Sequence, residues 1–551
     1  MANLRRLLTE LYPGDEDKAL EEIVKIKNRY DINPKTKKLD ESDVILITYG
    51  DGLFDKSQAP LKTLKTFCAD YLSESISAIH LLPCFPFSSD DGFSVIDYYE
   101  INPELGDWED IRALAVDFHL MFDAVVNHMS KASKWFKSFL DAVPPYDDYF
   151  IKAEPDLDYS MVVRPRALPL LHGYRGKDDE VNVWTTFSED QVDLNYKSLD
   201  VFLQILDVLL FYVSKGARFI RLDAIAFLWK EIGTTCIHLP ETHMVIQAYR
   251  KIIDSVAPST VLITETNVPH IENISYFGDG TNEAHMVYNF TLPPLLALSL
   301  HQENVETLVQ WAISLQPVGN TCFFNFTASH DGVGVRPLQG IVSDKAVNML
   351  ADKALEHGGF VSFKDNGDGT RSPYELNCNY LELLTHPEAK DSLRIDRFLL
   401  TQSVMLCMPG VPGIYYHSLL GSQNDREAAL ASGINRRINR EKLSVEELKD
   451  SLSSTDTLRY HIFQRYSAML KVRRTEELFN PYGHATYKSQ GEVFIIIREN
   501  ERSVLYGIHN FSSVKRSLVA IAGTTFLYNS HPKSKAWELL PYQFQWLKIE
   551  K

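Results

Sequence analysis

Eight short, apolar, β-rich runs, separated by longer stretches of helical character, constrain this chain more than any other feature of its sequence. They are Val44–Tyr49, Ala78–Leu82, His119–Val126, Arg218–Asp223, Val261–Glu265, Met286–Phe290, Thr321–Ser329 and Val411–Tyr416. Most are nearly unbroken apolar strings, the pattern of parallel strands covered on both faces. Segments such as Leu199–Ser214 and Glu241–Val256 carry helical periodicity between them. Strand and helix alternating in this way predict an α/β fold whose parallel sheet closes on itself, a (β/α)8 TIM barrel.

At 551 residues the chain exceeds what one hydrophobic core organises, so satellites to the barrel are expected. Two intervals between runs are too long for one helix. Residues 129–195 are rich in Pro, Tyr, Asp and Arg, and residues 332–390 carry the turn-rich KDNGDGTRSP; both read as inserted subdomains over the barrel mouth. After Arg474 the pattern changes to VFIIIREN, SVLYGIHNF, SLVAIAG and WELLPYQFQWLKIE, short strands without long helices between them, which predicts a C-terminal β-domain over residues 475–551. Residues 1–40 read as a charged helical extension, leaving 41–128, 196–331 and 391–474 to the barrel.

A net charge of -17 argues against a sequence-independent nucleic-acid binder, which needs a concentrated positive face. The charged N-terminus lacks a signal-peptide core and no later stretch reaches membrane-spanning length, so a soluble, cytoplasmic chain without a membrane partner is expected. The cysteines Cys68, Cys84, Cys236, Cys322, Cys378 and Cys407 are scattered without CxxC pairing, which fits reduced thiols and supports neither a disulfide framework nor a metal site.

In a barrel of this type the loops after the strands face one shared pocket, so polar residues at strand ends are the ones to weigh. The third run ends in Asp123-Ala-Val-Val-Asn127-His128, the fourth in Arg221-Leu-Asp223, the fifth in Thr264-Glu265-Thr266 and the seventh in Ser329-His330-Asp331. Arg221 and Asp223 lie two apart on one strand, so they share a face, and a guanidinium beside a carboxylate favours its ionised, nucleophilic form. Glu265, from the neighbouring strand and held protonated near its partner carboxylate, can protonate a leaving oxygen. Retaining glycosidases keep such a pair about 5 to 5.5 Å apart, and adjacent strands lie roughly 4.8 Å apart. Any one of these acids alone fits a buried structural ion pair; their convergence from separate strand ends points to chemistry.

DAVVNH, GARFIRLDA, ITET and ASHD resemble the four motif regions of the α-amylase family, glycoside hydrolase family 13, and the resemblance covers nearly the whole chain. It implies Asp223 as nucleophile, Glu265 as general acid/base and Asp331 as transition-state stabiliser, with Arg221, His128 and His330 contacting the glucosyl unit. Asp97, which by itself reads as a turn residue, would pair with Arg436 to close the glucosyl pocket. Within the family, RLDAIAFLWKEIGTTC from Arg221 to Cys236 is similar to a run of the sucrose phosphorylase subfamily. VRPRALP resembles the subfamily loop that carries a phosphate-binding arginine, here Arg166, whose planar donor set suits a phosphate oxyanion. Arg164 and Arg166 read without the subfamily are equally solvated loop residues. Tyr374 and Glu375 fall where the subfamily places further phosphate contacts, but with Glu in place of Gln, a carboxylate that repels phosphate unless paired or protonated.

RPRALPLLH, WTTFSEDQVDLNY, CIHLPETH, ITETNVPH and DGTRSPYELN resemble the branch that acts on glucosylglycerate. That implies reversible phosphorolysis with retention, without a cofactor, of a small-molecule glucoside by inorganic phosphate, and a local positive charge for the acceptor D-glycerate. His172, Arg175, His238 and Arg371 are the candidates for it. Phosphorylases of sucrose, sucrose 6′-phosphate or glucosylglycerol, an α-glucosidase, and a non-catalytic sugar-binding protein on the same fold are the alternatives.

Overall fold

The computed structural model describes residues 2–32, 37–165, 168–315, 318–366 and 369–551. Among them, eight strands close a parallel barrel: β1 (Ile45–Thr48), β2 (Ala78–Leu81), β3 (His119–Ala124), β4 (Ala217–Leu222), β5 (Val261–Thr264), β6 (Met286–Tyr288), β7 (Cys322–Phe326) and β8 (Val411–Tyr415). Each occupies one of the apolar runs. The runs overshoot at their C-terminal ends because Asp223, Glu265 and Ser329 leave the ladder there. Neighbours follow chain order, and β8 pairs with β1, Gly413 opposite Ile45, to seal the ring.

Every residue of β4 is buried, as expected for a strand covered outside by helices and inside by other side chains. The interior is tightly filled: a Cβ on Gly413 of β8 would stand 2.3 Å from the Phe324 ring of β7, so only glycine fits there. The outer layer includes Leu199–Ser214, Pro240–Asp254, Leu292–Gln302 and Asp391–Cys407. Helix Trp108–Asp117 starts in a capping box, Asp107 accepting from the Asp110 N–H and Asp110 from that of Asp107. The N-terminal helices Ala2–Leu11 and Glu16–Lys27 pack on Pro240–Asp254 and Leu199–Ser214, burying Leu4, Leu7, Leu8 and Leu11. Arg29 pairs with Asp207 at 2.5 Å on the same interface.

The first long interval holds helix Lys134–Leu140 and an antiparallel hairpin, Leu171–Arg175 with Glu180–Trp184. Its two ends meet where His128–Ser130 pairs with Gln191–Asp193. The second holds helix Asp344–Glu356 and a three-stranded antiparallel sheet of Val333–Gly334, Arg371–Asn377 and Phe360–Asp365. At the C-terminus a five-stranded sheet runs in the order Ala485–Gln490, Val493–Glu499, Ser503–Asn510, Phe544–Glu550, Thr525–Asn529. It is joined to helix Asp391–Cys407 by buried hydrogen bonds from Trp546 Nε1 to Ser403 Oγ (2.8 Å) and from Arg498 to the Cys407 carbonyl (3.0 Å). SLVAIAG departs from expectation: beyond Ser517 it forms no strand, Val519 is 84% exposed, and Thr525–Asn529 takes the edge beside Phe544–Glu550. The six cysteines are buried free thiols. Among the described residues no helix is long and apolar enough to cross a membrane.

A buried ion pair fastens the segment before β1 to the start of β4. Arg218 donates to both oxygens of Asp43, at 2.6 and 3.2 Å, with the two side chains 6% and 0% exposed. Removing the carboxylate strands the guanidinium in a dry site, so Asp43→Ala is expected to cost about 3–5 kcal/mol, read as a lower urea midpoint, while Asp43→Asn costs less.

Candidate active site

The site is assembled around Arg221, which lies on β4 and is 2% exposed. Register places it beside Asp123 on β3 and Ile263 on β5, and its guanidinium turns to the C-terminal end of the barrel. Arg221 Nη1 donates to Asp123 Oδ1 and, at 2.7 Å, to Asp223 Oδ1; Nη2 stands 3.7 Å from Glu265 Oε2. Asp123 is also bonded to His80 Nε2 of β2 at 2.8 Å. One cation thus couples four consecutive strands. The Phe93 and Tyr288 rings face the same guanidinium, their centroids 5.6 and 5.5 Å away, adding cation–π attraction.

Asp223 leaves the end of β4 into a left-handed turn at Ala224, φ 49°, a conformation costly for a residue with a Cβ. That turn aims the Ala224 N–H at Glu265 Oε2, 3.1 Å away. Asp331, just past β7, has Arg436 Nη1 at 2.6 Å, His330 Nε2 at 3.5 Å and Arg440 Nη2 at 3.6 Å. Arg436 also holds Glu375 in a two-pronged pair, Nε to Oε1 at 3.0 Å and Nη2 to Oε2 at 2.6 Å. Arg440 and Asn439 donate to the carbonyls of His330 and Ser329, both at 2.8 Å, which fixes the strand end that carries Asp331.

Asp223, Glu265, Asp331, His128, His330 and Arg436 line one cavity. Burial pushes the Asp223 carboxyl well above its ordinary range against the pull of Arg221, and the charge of Glu265 adds to the rise; burial likewise raises Glu265. Two carboxylates in one dry site resist ionising together, so the pair retains a proton. The 2.7 Å hydrogen bond from Arg221 to Asp223, against a 3.7 Å approach to Glu265, favours placing the pair's charge on Asp223. Asp331 is the opposite case. Burial alone would raise it, but the Arg436 and Arg440 guanidinium groups hold it far below the usual carboxylate range. Burial also depresses both histidines, His330 to about 3, so they serve as neutral hydrogen-bonding groups. A carboxyl pair that keeps one proton and a second, ionised carboxylate around one cavity can stabilise a positively charged, oxocarbenium-like centre.

The remaining expected residues divide. Tyr374 lines the cavity. Arg166 lies outside the described residues. Glu375 is 2% exposed and does not line the cavity, so as a contact for phosphate it is corrected to an internal partner of Arg436. Asp97 does not meet Arg436; its carboxylate accepts the Tyr99 N–H at 2.7 Å, closing a turn. Asp90, seven residues earlier in SDDGFSVID, lines the cavity instead and contacts Gln191 Nε2 at 3.3 Å. The backbone turns sharply there: Asp90, Asp91 and Gly92 take positive φ of 53°, 49° and 114°, and a Cβ on Gly92 would be 2.7 Å from the Pro83 carbonyl. His172 is held by Thr185 at 2.7 Å, Arg175 and Arg371 are exposed strand residues, and none of the three lines the cavity. His238 bonds Tyr276 at 2.7 Å and does not line the cavity. Lys230, from the run shared with the phosphorylase subfamily, is buried and bridges Asn127 (2.9 Å) and Asp193 (2.6 Å), tying the end of the first insertion to β3. Gln191, Asn267 and Arg336 line the cavity with no spacing to announce them. Among the described residues no group of three His, Cys, Asp or Glu side chains could hold a metal ion.

Residues 69–331 match the α-amylase catalytic domain. The chain is 45% identical to the glucosylglycerate phosphorylase of Escherichia coli (strain K12), covering 93% of each chain, and 48% identical to that of Spirochaeta thermophila, covering 84% of this chain and 79% of the relative. Among solved structures it resembles sucrose 6F-phosphate phosphorylase from Thermoanaerobacter thermosaccharolyticum, with a TM-score of 0.75 and 26% identity over 86% of this chain and 94% of the other.

Arg436 balances the buried Glu375 and the part-exposed Asp331 at once, so Arg436→Met is expected to lose about 3 kcal/mol of stability at pH 7, and Glu375→Gln considerably less. Because the folded state depresses the Asp331 pKa, its contribution is present above the unfolded value of about 3.9 and is lost on acidification. The gap in urea midpoint between wild type and Arg436→Met is therefore expected to narrow below about pH 4.

Proposed function

Since the chain belongs to the α-amylase family, we propose that it is a retaining glycoside phosphorylase acting on 2-O-α-D-glucosyl-D-glycerate and inorganic phosphate. The products are α-D-glucose 1-phosphate and D-glycerate, and the reaction runs in both directions. Asp223 attacks the anomeric carbon while Glu265 protonates the departing glycerate oxygen, leaving a covalent glucosyl-enzyme. A phosphate oxygen then attacks the same carbon from the face the acid left, releasing Asp223, with Glu265 taking up a proton where the phosphate carries one. Asp331 and neutral His128 and His330 grip the sugar as positive charge develops at its ring. No cofactor takes part.

The observation that carries this reading is the single guanidinium of Arg221 shared by Asp223 and Glu265 at the wall of one cavity. Support for phosphate as the second substrate comes from Glu375: both its oxygens are engaged by Arg436, so its charge is not offered to an incoming anion. Arg166 and Tyr374 are the proposed phosphate contacts. Asp90, close enough to Arg436 to act on its charge, takes the pocket-closing role. The family relationship supplies the donor, through the glucosylglycerate phosphorylases of two bacteria. We place the reaction in the cytoplasm, in keeping with the six free thiols.

Glucose 1-phosphate release from glucosylglycerate should require phosphate, and sucrose or glucosylglycerol should be poor donors. Equal turnover in phosphate-free buffer would make the protein a hydrolase. Asp223→Ala should lower kcat on the order of 10⁴-fold. Glu265 must be protonated to act, and burial raises its pKa, so kcat should fall as pH rises through that raised value; Glu265→Gln should abolish this alkaline limb.

A further inference from the structure

The sugar end of the cavity is rich in carboxylates: Asp90, Asp223, Glu265 and Asp331 line it, and Arg436 is committed to Asp331 and Glu375. An anionic leaving group cannot be held by that end without compensation elsewhere. Past Glu265 the wall changes character. Asn267 and Val268 line it from the strand β5 side, and Tyr374 and Arg336 from the second insertion. Gly334 is pressed against Asn267, where a Cβ would stand 2.5 Å from its amide nitrogen, so Arg336, two residues further on, belongs to the same wall.

The turn that presents Arg336 is firmly seated. The Val335 N–H donates to the Tyr374 carbonyl at 3.1 Å, and Val335, Pro337 and Leu338 are buried. Among the described residues, no hydrogen bond or ion pair joins the Arg336 guanidinium to a carboxylate. Its neighbours do not neutralise it either. Burial and Arg336 push the Lys364 ammonium down, and burial, His243 and Arg336 push His238 down to about 4, leaving that imidazole neutral. In a chain with a net charge of -17, this wall is a local positive site that keeps its charge available.

We propose that Arg336 is the specificity residue of the acceptor subsite, binding the carboxylate of a short 2-hydroxy acid whose hydroxyl oxygen faces Glu265. Its planar fork matches a carboxylate in two parallel hydrogen bonds. Asn267, whose amide lines the same wall, hydrogen-bonds a remaining hydroxyl of the acid. A neutral polyol of the same size leaves the guanidinium unpaired, which is how a site built for charge rejects an uncharged analogue. The inference rests on the reaction proposed above and adds the residue that selects the acid.

The experiment runs the reaction in the synthetic direction, with α-D-glucose 1-phosphate as donor and D-glycerate, D-glyceramide or glycerol as acceptor. Wild type should prefer glycerate to the isosteric amide about 10- to 100-fold in kcat/KM. Arg336→Gln should collapse the glycerate-to-glycerol ratio by a similar factor, and Arg336→Lys should restore part of it. A ratio is read from whatever activity a damaged variant retains, and the amide comparison needs no variant. Wild type that uses glycerate and glyceramide equally well, or a ratio unmoved in Arg336→Gln, overturns the inference and leaves the phosphorylase reading standing. So does a variant whose KM, measured in the phosphorolytic direction, rises for phosphate alone, which would make inorganic phosphate the anion Arg336 binds. Wild type that accepts no glycerate at all overturns that reading and this inference together.

Discussion

Burying the guanidinium of Arg221 among Asp123, Asp223 and Glu265 imposes the conditions under which the rest of the site works. A fully desolvated cation is tolerable only with carboxylates at hydrogen-bonding range, and those carboxylates are tolerable only with the cation. Because the acids come from β3, β4 and β5, the requirement fixes the relative heights of three strands and, through His80, a fourth. The same arrangement separates two chemically similar groups. Asp223 has the direct hydrogen bond and Glu265 the weaker, longer approach, so position alone makes two similar carboxyls unequal in their hold on charge.

A second balance, around Arg436, joins parts of the chain far apart in sequence. Asp331 follows β7, Glu375 lies in the second insertion and Arg436 follows β8. The insertion is therefore part of the site's electrostatics as well as its roof. This also explains why a carboxylate is tolerated at Glu375: its charge is answered inside the protein, and it reinforces the hold on Asp331 indirectly by orienting the shared guanidinium.

The barrel strands were legible because a strand buried on both faces leaves an almost unbroken apolar string, and β4 and β5 are such strings ending in acids. Asp223, Glu265 and Asp331 were legible as strand-end residues for the same reason. The loop residues were not. Asp90 and Asp97 are seven apart in one stretch, separated by positive-φ backbone from Asp90 to Gly92 that has no periodic signature. Arg336 follows a two-residue strand in an insertion, where neither strand nor helix period applies. SLVAIAG failed for another reason: its alternation suits a strand, but the sheet edge it would occupy belongs to Thr525–Asn529.

Closure of the ring by β8 against β1 has a consequence for the order in which the molecule can be made. The two partners stand at opposite ends of the barrel's sequence, and both insertions emerge between them. During synthesis the first seven strands have no way to satisfy the free edges of β1 and β7, since their shared neighbour is the last to appear. Unpaired strand edges recruit other chains. The nascent protein thus carries its greatest liability to association just before Val411–Tyr415 is made, and each residue in the insertions prolongs that interval.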